Sequence, residues 1–265
     1  MATQLILKAP QRTVGKERRS KDRGGLRRTV RKLVIVIGAI YGLNALVLLG
    51  FQPQGNVVLE DEFQGVAVEY VDTLEVGFPL LHQEAAGYVN VLEAEETIHL
   101  STRVLEVGSG LAESVRHHEW FHLRQKEVAL NHSPLGGPSL WNPLGTASYL
   151  ATLGALNFQL AGAMPTTSSS LPLTGALEAS ADCWVQLEWD GDYEGYVSEQ
   201  CSPEALWMAQ EVSEGRWPAA PGPEDQLPEA AEYPSITKKT SALPFAKSPH
   251  TKMLANLGLK SPQSS

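Results

Sequence analysis

The most continuous apolar stretch of the chain covers residues 33–51, LVIVIGAIYGLNALVLLGF, nineteen residues without a charge. A helix needs roughly 20 apolar residues to cross a bilayer. The stretch is longer than the roughly 7–15 apolar residues of a cleavable signal peptide, and no small-residue cleavage site follows it. The pattern therefore predicts an uncleaved transmembrane helix, with a cleaved signal peptide as the alternative.

After this stretch the pattern changes to short runs rich in Val, Ile and Tyr, which are typical of strands. Residues 52–64 contain Gln, Pro, Gly and several acids, and they are predicted to form a stalk. Three later runs predict a small sheet: VAVEYV (66–71), GYVNVL (87–92) and ETIHLS (96–101).

The following part of the chain has helical patterns. Residues 111–130 have no interior Gly or Pro and predict a helix, and helices are also predicted at residues 176–189 and 203–215. Residues 144–164 are uncharged and long enough to raise the question of a second membrane span. Their Thr, Ser, Tyr, Asn and Gln side chains favour a helix that is buried or lies against the membrane. Strands followed by helices predict an α+β fold.

Charge is distributed unevenly along the chain. Residues 1–32 contain eleven Lys or Arg and two acids, a net charge of +9, so the other residues carry −18 of the total of −9. Cations collect on the cytoplasmic side of a membrane helix. The asymmetry predicts a cytoplasmic N-terminus, an exported remainder and no nucleic-acid partner. Four parts are predicted: a disordered basic tail (1–32), a transmembrane anchor (33–51), a folded domain (52–215) and a disordered tail rich in Pro and Ser (216–265).

One predicted helix contains His118-Glu119-Trp120-Phe121-His122, an H-E-x-x-H sequence. Residues four apart lie on one face of a helix, so both imidazoles can bind one Zn²⁺ ion. Glu119 is next to them and can take a proton from water as a general base. The alternative is a helix with incidental histidines, and a third ligand would decide between the two.

A second helix offers that ligand. Glu178 and Asp182 lie four residues apart on one face of an otherwise apolar helix that contains no Lys or Arg. Two like charges there are unfavourable unless a cation is near. We therefore predict Glu178 as a zinc ligand and Asp182 as the acceptor of the outer N–H of a ligand imidazole.

The two segments HEWFHLRQ and LEASADCW resemble the gluzincin metallopeptidases, and more narrowly the neutral zinc metallopeptidase family of bacteria. The similarity covers residues 96–189. It implies His118, His122 and Glu178 as metal ligands, Glu119 as base and Asp182 as the partner of a ligand histidine. It also implies a membrane-anchored, extracytoplasmic hydrolase. The predicted fold has a small sheet packed on an active-site helix and a second ligand-bearing helix, preceded by one transmembrane helix.

Some features remain open at the level of sequence. The donor to the oxyanion can be Tyr193, Tyr196, His132 or Tyr149. The only two cysteines, Cys183 and Cys201, can form a disulfide or remain separate buried thiols. The expected function is a zinc metalloprotease acting on a protein or peptide substrate and held in the membrane by residues 33–51. The alternative is a non-catalytic, membrane-tethered interaction protein with a structural zinc site.

Overall fold

A computed structural model describes residues 17–50, 53–77, 83–164, 175–188 and 200–228 of the chain. The chain divides into two units, residues 1–43 and 44–265. In the first unit, helix α1 (Glu17–Leu49) begins fifteen residues before the predicted end of the basic tail at residue 32 and continues into the second unit. The helix thus includes residues 17–32 of the segment predicted as a basic tail, where Arg, Lys and Leu favour a helix.

Helix α1 contains a stretch, Arg28–Leu49, that is long and apolar enough to cross a membrane. Among the described residues it is the one helix with that property. The helix predicted at residues 144–164 therefore lacks the length and composition that a second membrane span needs.

The second unit begins with a small mixed sheet. The strands are β1 (Val57–Phe63), β2 (Val66–Val71), β3 (Glu75–Val76), β4 (Gln83–Glu84), β5 (Gly87–Val89) and β6 (Thr97–Ser101). The order in the sheet is β1-β2-β6-β5, with β1–β2 and β6–β5 antiparallel and β2–β6 parallel. A separate two-stranded ribbon joins β3 to β4. The three predicted strands are confirmed, although β5 is shorter than its apolar run.

The stalk predicted at residues 52–64 is wrong, because β1 lies within it. Gln64 and Gly65 form the turn to β2, with φ of 51° and 83°, and Phe63 pairs with Val66. Two residues with positive φ are what a type I′ hairpin turn requires. The acidic composition of β1 suits an outer strand whose side chains are nearly all exposed.

Five further helices follow the sheet. They are α2 (Thr102–Val107), α3 (Ser109–His132), α4 (Pro143–Leu160), α5 (Gly175–Glu188) and α6 (Pro203–Ser213). Asn142 and Ser202 cap α4 and α6 by accepting hydrogen bonds from backbone N–H groups of the first turn. All four helices predicted after the sheet are confirmed, and their ends differ from the prediction by at most four residues.

Helix α3 separates two apolar clusters. On one side Val115 and Leu123 pack with the buried residues of β2, β5 and β6. On the other side Phe121 and Val128 pack with buried residues of α4, α5 and α6. Burial on both sides fixes the rotation of α3, and that rotation decides where its histidines point.

A disulfide joins Cys183 of α5 to Cys201, just before α6. It settles the question that the sequence leaves open. Closing a loop of 18 residues stabilises the folded state by roughly 3 kcal/mol. Residues beyond the predicted boundary at Gly215 also belong to this unit, because the Trp217 ring lies 5.0 Å from that of His132. The remainder of the predicted tail, residues 229–265, lies outside the described residues.

Candidate metal centre

Helix α3 places His118 and His122 one turn apart, facing α5. The Nε2 atoms of the two imidazoles lie 3.2 Å from each other. The rings meet edge to face, with an interplanar angle of 80°. The two ring nitrogens therefore point at one common position.

Helix α5 brings a carboxylate to the same position. Glu178 Oε2 lies 3.2 Å from Nε2 of His118 and 3.5 Å from Nε2 of His122. The three ligand atoms are thus neighbours of one another, although Glu178 is 60 residues from His118 in sequence. His118, His122 and Glu178 form a group that can hold a metal ion.

The spacing of these three atoms tests whether one ion fits among them. Nitrogen and oxygen ligands about 2.0–2.1 Å from a tetrahedral ion stand about 3.3–3.4 Å apart. The observed separations of 3.2, 3.2 and 3.5 Å match that edge length. The donor set of two imidazoles and one carboxylate, at this spacing, fits a single tetrahedral cation.

Each histidine is oriented by a partner on its other ring nitrogen. Asp182 Oδ1 lies 2.9 Å from Nδ1 of His118. A carboxylate there keeps the proton on Nδ1 and leaves the lone pair of Nε2 for a metal. Asp182 Oδ1 therefore lies beside the His118 imidazole, and Asp182 is one turn from Glu178 along α5.

Gln125 orients the second histidine, His122. The sequence alone did not predict this role. Its Nε2 donates hydrogen bonds to the Leu177 carbonyl oxygen at 2.8 Å and to Ser180 Oγ at 2.9 Å. A carbonyl oxygen only accepts, so the amide nitrogen of Gln125 faces α5. Its Oε1 then accepts from Nδ1 of His122 at 2.8 Å. This chain fixes the His122 tautomer and ties α3 to α5 at the site.

Charge at the site favours a cation. Burial opposes protonation of His118, but hydrogen bonds to Asp182 and Glu178 outweigh it and hold its pKa well above the usual range. Burial likewise opposes ionisation of Glu178, yet His122 and His118 hold its pKa well below the usual range. The raised pKa of His118 and the lowered pKa of Glu178 have the same cause, because the carboxylates and the imidazolium groups stabilise each other's charge.

Glu119 lies next to this group and is buried. Burial is the main cause that raises its pKa, while His122 and His118 oppose the shift. Glu119 packs against the backbone of β5, because a Cβ on Gly87 would lie 2.6 Å from its Cγ and 2.7 Å from its Oε1. A glycine at position 87 is therefore needed for Glu119 to lie where it does.

A cleft of about 560 Å³ opens at the site. Its size is in the range of small-ligand sites. Its polar lining includes Glu119, His122, Gln125 and Glu178, and β5 forms one wall. The apolar part of the lining includes Val47, Val89, Val91, Leu92, Leu150, Leu153 and Leu177.

The sequence offers four candidate donors to the oxyanion, and the structure describes two of them. Tyr149 is buried and its hydroxyl donates to the Val91 carbonyl oxygen at 2.9 Å, while His132 packs on Trp217. Neither is among the residues that line the cleft. Tyr193 and Tyr196 lie outside the described residues. Tyr88 of β5 does line the cleft, and its pKa is raised by burial and by Glu93 and Glu119, so its phenol stays protonated.

In comparisons with known proteins, no family model, curated protein or solved structure matches the chain. What the geometry establishes is a group of His118, His122 and Glu178 that can hold a metal ion.

Replacing Asp182 by asparagine is expected to weaken metal binding by about 10- to 100-fold, because the neutral amide no longer raises the basicity of His118. The measurement is a competition titration with a zinc chelator. Glu188→Gln is the matched control, since Glu188 is exposed and is the last residue of the same helix, α5. Equal zinc affinity in Asp182→Asn and in the control would show that Asp182 does not act through His118.

If Glu119 acts as the base of a metal-dependent hydrolase, replacing Gly87 by alanine is expected to lower the rate of hydrolysis by about 100-fold with the metal retained, because the new Cβ must displace Glu119 from its position. The readouts are kcat and metal content. Gly154→Ala is the control, because a Cβ there meets nothing within 4 Å. A parental kcat in Gly87→Ala would contradict the proposed position of Glu119 during the reaction.

Proposed function

We propose that the chain is a membrane-anchored zinc peptidase. The observation that carries the proposal is the convergence of His118, His122 and Glu178 at tetrahedral spacing, with buried Glu119 beside them in an open cleft. Two histidines and one glutamate are a ligand set of catalytic zinc sites, which keep the fourth position open. When bound there, zinc supplies Lewis acidity towards a carbonyl oxygen and lowers the pKa of water to about 7.

The residues of the chain have separate tasks in this proposal. His118, His122 and Glu178 hold the ion, and Asp182 and Gln125 keep the two imidazoles in the required tautomer. Glu119 takes a proton from the water that attacks the peptide carbonyl carbon. It then gives that proton to the leaving nitrogen as the C–N bond breaks, so Glu119 ends the cycle as a carboxylate.

The burial of Glu119 suits the second half of this cycle. A carboxylate in an apolar setting holds a proton more strongly than one in water, so it can carry the proton between the two steps. Gly87 lets the backbone of β5 approach and keeps the carboxylate in place. A purely structural zinc site has no use for such a base, which argues against the non-catalytic alternative.

The shape of the site also favours catalysis. Structural zinc sites are closed by four protein ligands. Among the described residues the group has three members, and it borders a cleft of about 560 Å³. The cleft has an apolar lining and one polar end, as expected for a site that binds a peptide next to the reacting bond.

The proposal places this domain outside the cytoplasm. The apolar stretch of α1 is long enough to anchor the chain, and the basic residues precede it. The Cys183–Cys201 disulfide supports export, because such bonds persist in oxidising compartments.

A reporter that is active only outside the cytoplasm, fused after Ser265, is expected to be active. The physical reason is that a helix with cations before it and none until Arg103 after it leaves its basic end in the cytoplasm. The measurement compares this fusion with one to a reporter that works only in the cytoplasm. Activity of the cytoplasmic reporter alone would contradict the proposed orientation.

The peptidase proposal is tested with the full chain in detergent micelles. We expect one zinc per chain, hydrolysis of internally quenched peptides, loss of hydrolysis when a chelator removes the metal, and its return when zinc is added. Zinc binding without hydrolysis of any peptide in a broad library would support the structural alternative. Absence of zinc binding would contradict both functions.

A further inference from the structure

Residues 128–177 form a continuous segment of fifty residues without Asp, Glu, Lys or Arg, in a chain that is 19% charged. All 51 charged side chains lie elsewhere in the sequence. The segment is nevertheless not all core, because it includes a loop and the exposed face of α4. A surface from which charge is excluded over this length needs a physical reason.

The described part of this segment exposes large apolar side chains. Trp141 is 84% exposed, Phe158 82% and Leu144 68%. Leu144, Ala147, Ala151, Ala155 and Phe158 follow one another at helical spacing and form one exposed face of α4. The apolar surface, as we name it, consists of this face with Leu135, Leu140 and Trp141.

The apolar surface is attached to the end of the candidate anchor. Asn44 of α1 donates from Nδ2 to the Ser139 carbonyl oxygen at 2.9 Å and to that of Leu140 at 3.3 Å. Asn44 is buried, and an amide inside a bilayer needs such partners. The backbone at residues 139–140 therefore lies against the last turns of α1, and Trp141 follows directly.

We propose that the apolar surface contacts lipid, and that it rests in the interface of the bilayer that α1 crosses. The last turns of a membrane helix lie at that depth, and Trp is enriched there because its ring is apolar and its N–H is polar. A docked protein would call for a polar rim around the apolar centre. An uncharged segment fixed to the anchor suits lipid instead.

This inference rests on the proposed anchor and not on peptidase activity. It places the cleft beside the membrane, because Val47 of α1 and Leu150 of α4 both line it. Helix α4 thus has two apolar faces, one towards the cleft and the core and one towards lipid. The contact also accounts for an uncharged helix that is not a candidate span.

The test uses the full chain reconstituted in phosphatidylcholine vesicles, either unlabelled or brominated near the headgroup end of the acyl chains. Bromine quenches tryptophan on contact. The chain has six Trp, so the emission of Trp141 is the difference between the parent and Trp141→Phe. We expect most of the Trp141 emission to be lost in brominated lipid and aqueous iodide to have little effect.

Two further variants, in the Trp141→Phe background, make the result specific. Phe158→Trp places a reporter at the other end of α4 and is expected to be quenched by brominated lipid. Glu60→Trp, on the exposed strand β1, is expected to respond to iodide instead. Every variant must stay with the vesicles after an alkaline wash, which checks the anchor. Glu119→Gln is expected to show parental quenching, which separates the contact from catalysis.

Three results would overturn the proposal. The first is Trp141 emission that is equal in both lipids and sensitive to iodide, which means that the surface faces water. The second is Trp141 emission that neither quencher affects at a high ratio of protein to lipid, but that iodide quenches at a low ratio. That result means that copies of the chain cover one another. The third is release of the chain by the alkaline wash, which removes the anchor on which the inference rests.

Discussion

Replacing Glu119 by glutamine is expected to lower kcat/KM for peptide hydrolysis by about 10²–10⁴-fold while the chain keeps one zinc ion. The amide has the shape of the carboxylate but cannot take a proton from water. The three ligand residues are unchanged, so metal affinity should remain close to that of the parent. The measurement pairs steady-state kinetics with metal analysis of the same preparation.

Glu127→Gln is the matched control for that experiment. Glu127 lies on α3, as Glu119 does, but its side chain is 44% exposed and pairs with Arg124. Such surface pairs contribute little to stability, so this variant should behave as the parent does. Hydrolysis at the parental rate in Glu119→Gln would contradict the assignment of Glu119 as the base.

Replacing Glu178 by alanine is expected to remove zinc, and hydrolysis with it. The change deletes the carboxylate oxygen that lies 3.2 Å from His118 Nε2 and leaves two histidines, which hold the ion weakly. Zinc should be lost during dialysis against a chelator that leaves the parent loaded. A large excess of zinc should restore little activity, because the ligand geometry is incomplete.

The companion variant Glu188→Ala, on the same helix and exposed, is expected to keep both zinc and activity. Together the variants predict an order of metal loss, with Glu178 first, Asp182 next and Glu119 last. If Glu178→Ala bound zinc as tightly as the parent, the third ligand would have to lie elsewhere and the gluzincin-like assignment would fail.

The sequence predicts the centre of the fold well because its patterns there are local. VAVEYV alternates in burial as strand β2 does, and α3 and α5 have apolar residues at helical spacing. The spacing of four between His118 and His122 places them on one face of any helix. Glu178 and Asp182 could be assigned to the same site as the two histidines because α5 contains no Lys or Arg to pair with them.

What the sequence does not reveal depends on contacts between distant segments. Strand β1 is acidic and exposed, so it looks like a linker until its pairing with β2 is known. Gln125 acquires its role from the Leu177 carbonyl oxygen, which is 52 residues away. Gly87 matters because Glu119 and Val115 of α3 both pack on it. One signal was available: Gln64-Gly65, between the segments VVLEDEF and VAVEYV, is compatible with a hairpin turn.

The zinc content of the purified full chain is the measurement that decides whether His118, His122 and Glu178 together hold one zinc ion. The chain is prepared in detergent, dialysed against a weak chelator and analysed for all divalent metals beside the Glu178→Ala and Glu188→Ala variants. We expect one zinc per chain in the parent and in Glu188→Ala, and almost none in Glu178→Ala. Equal zinc in all three, or none in the parent, would contradict that expectation.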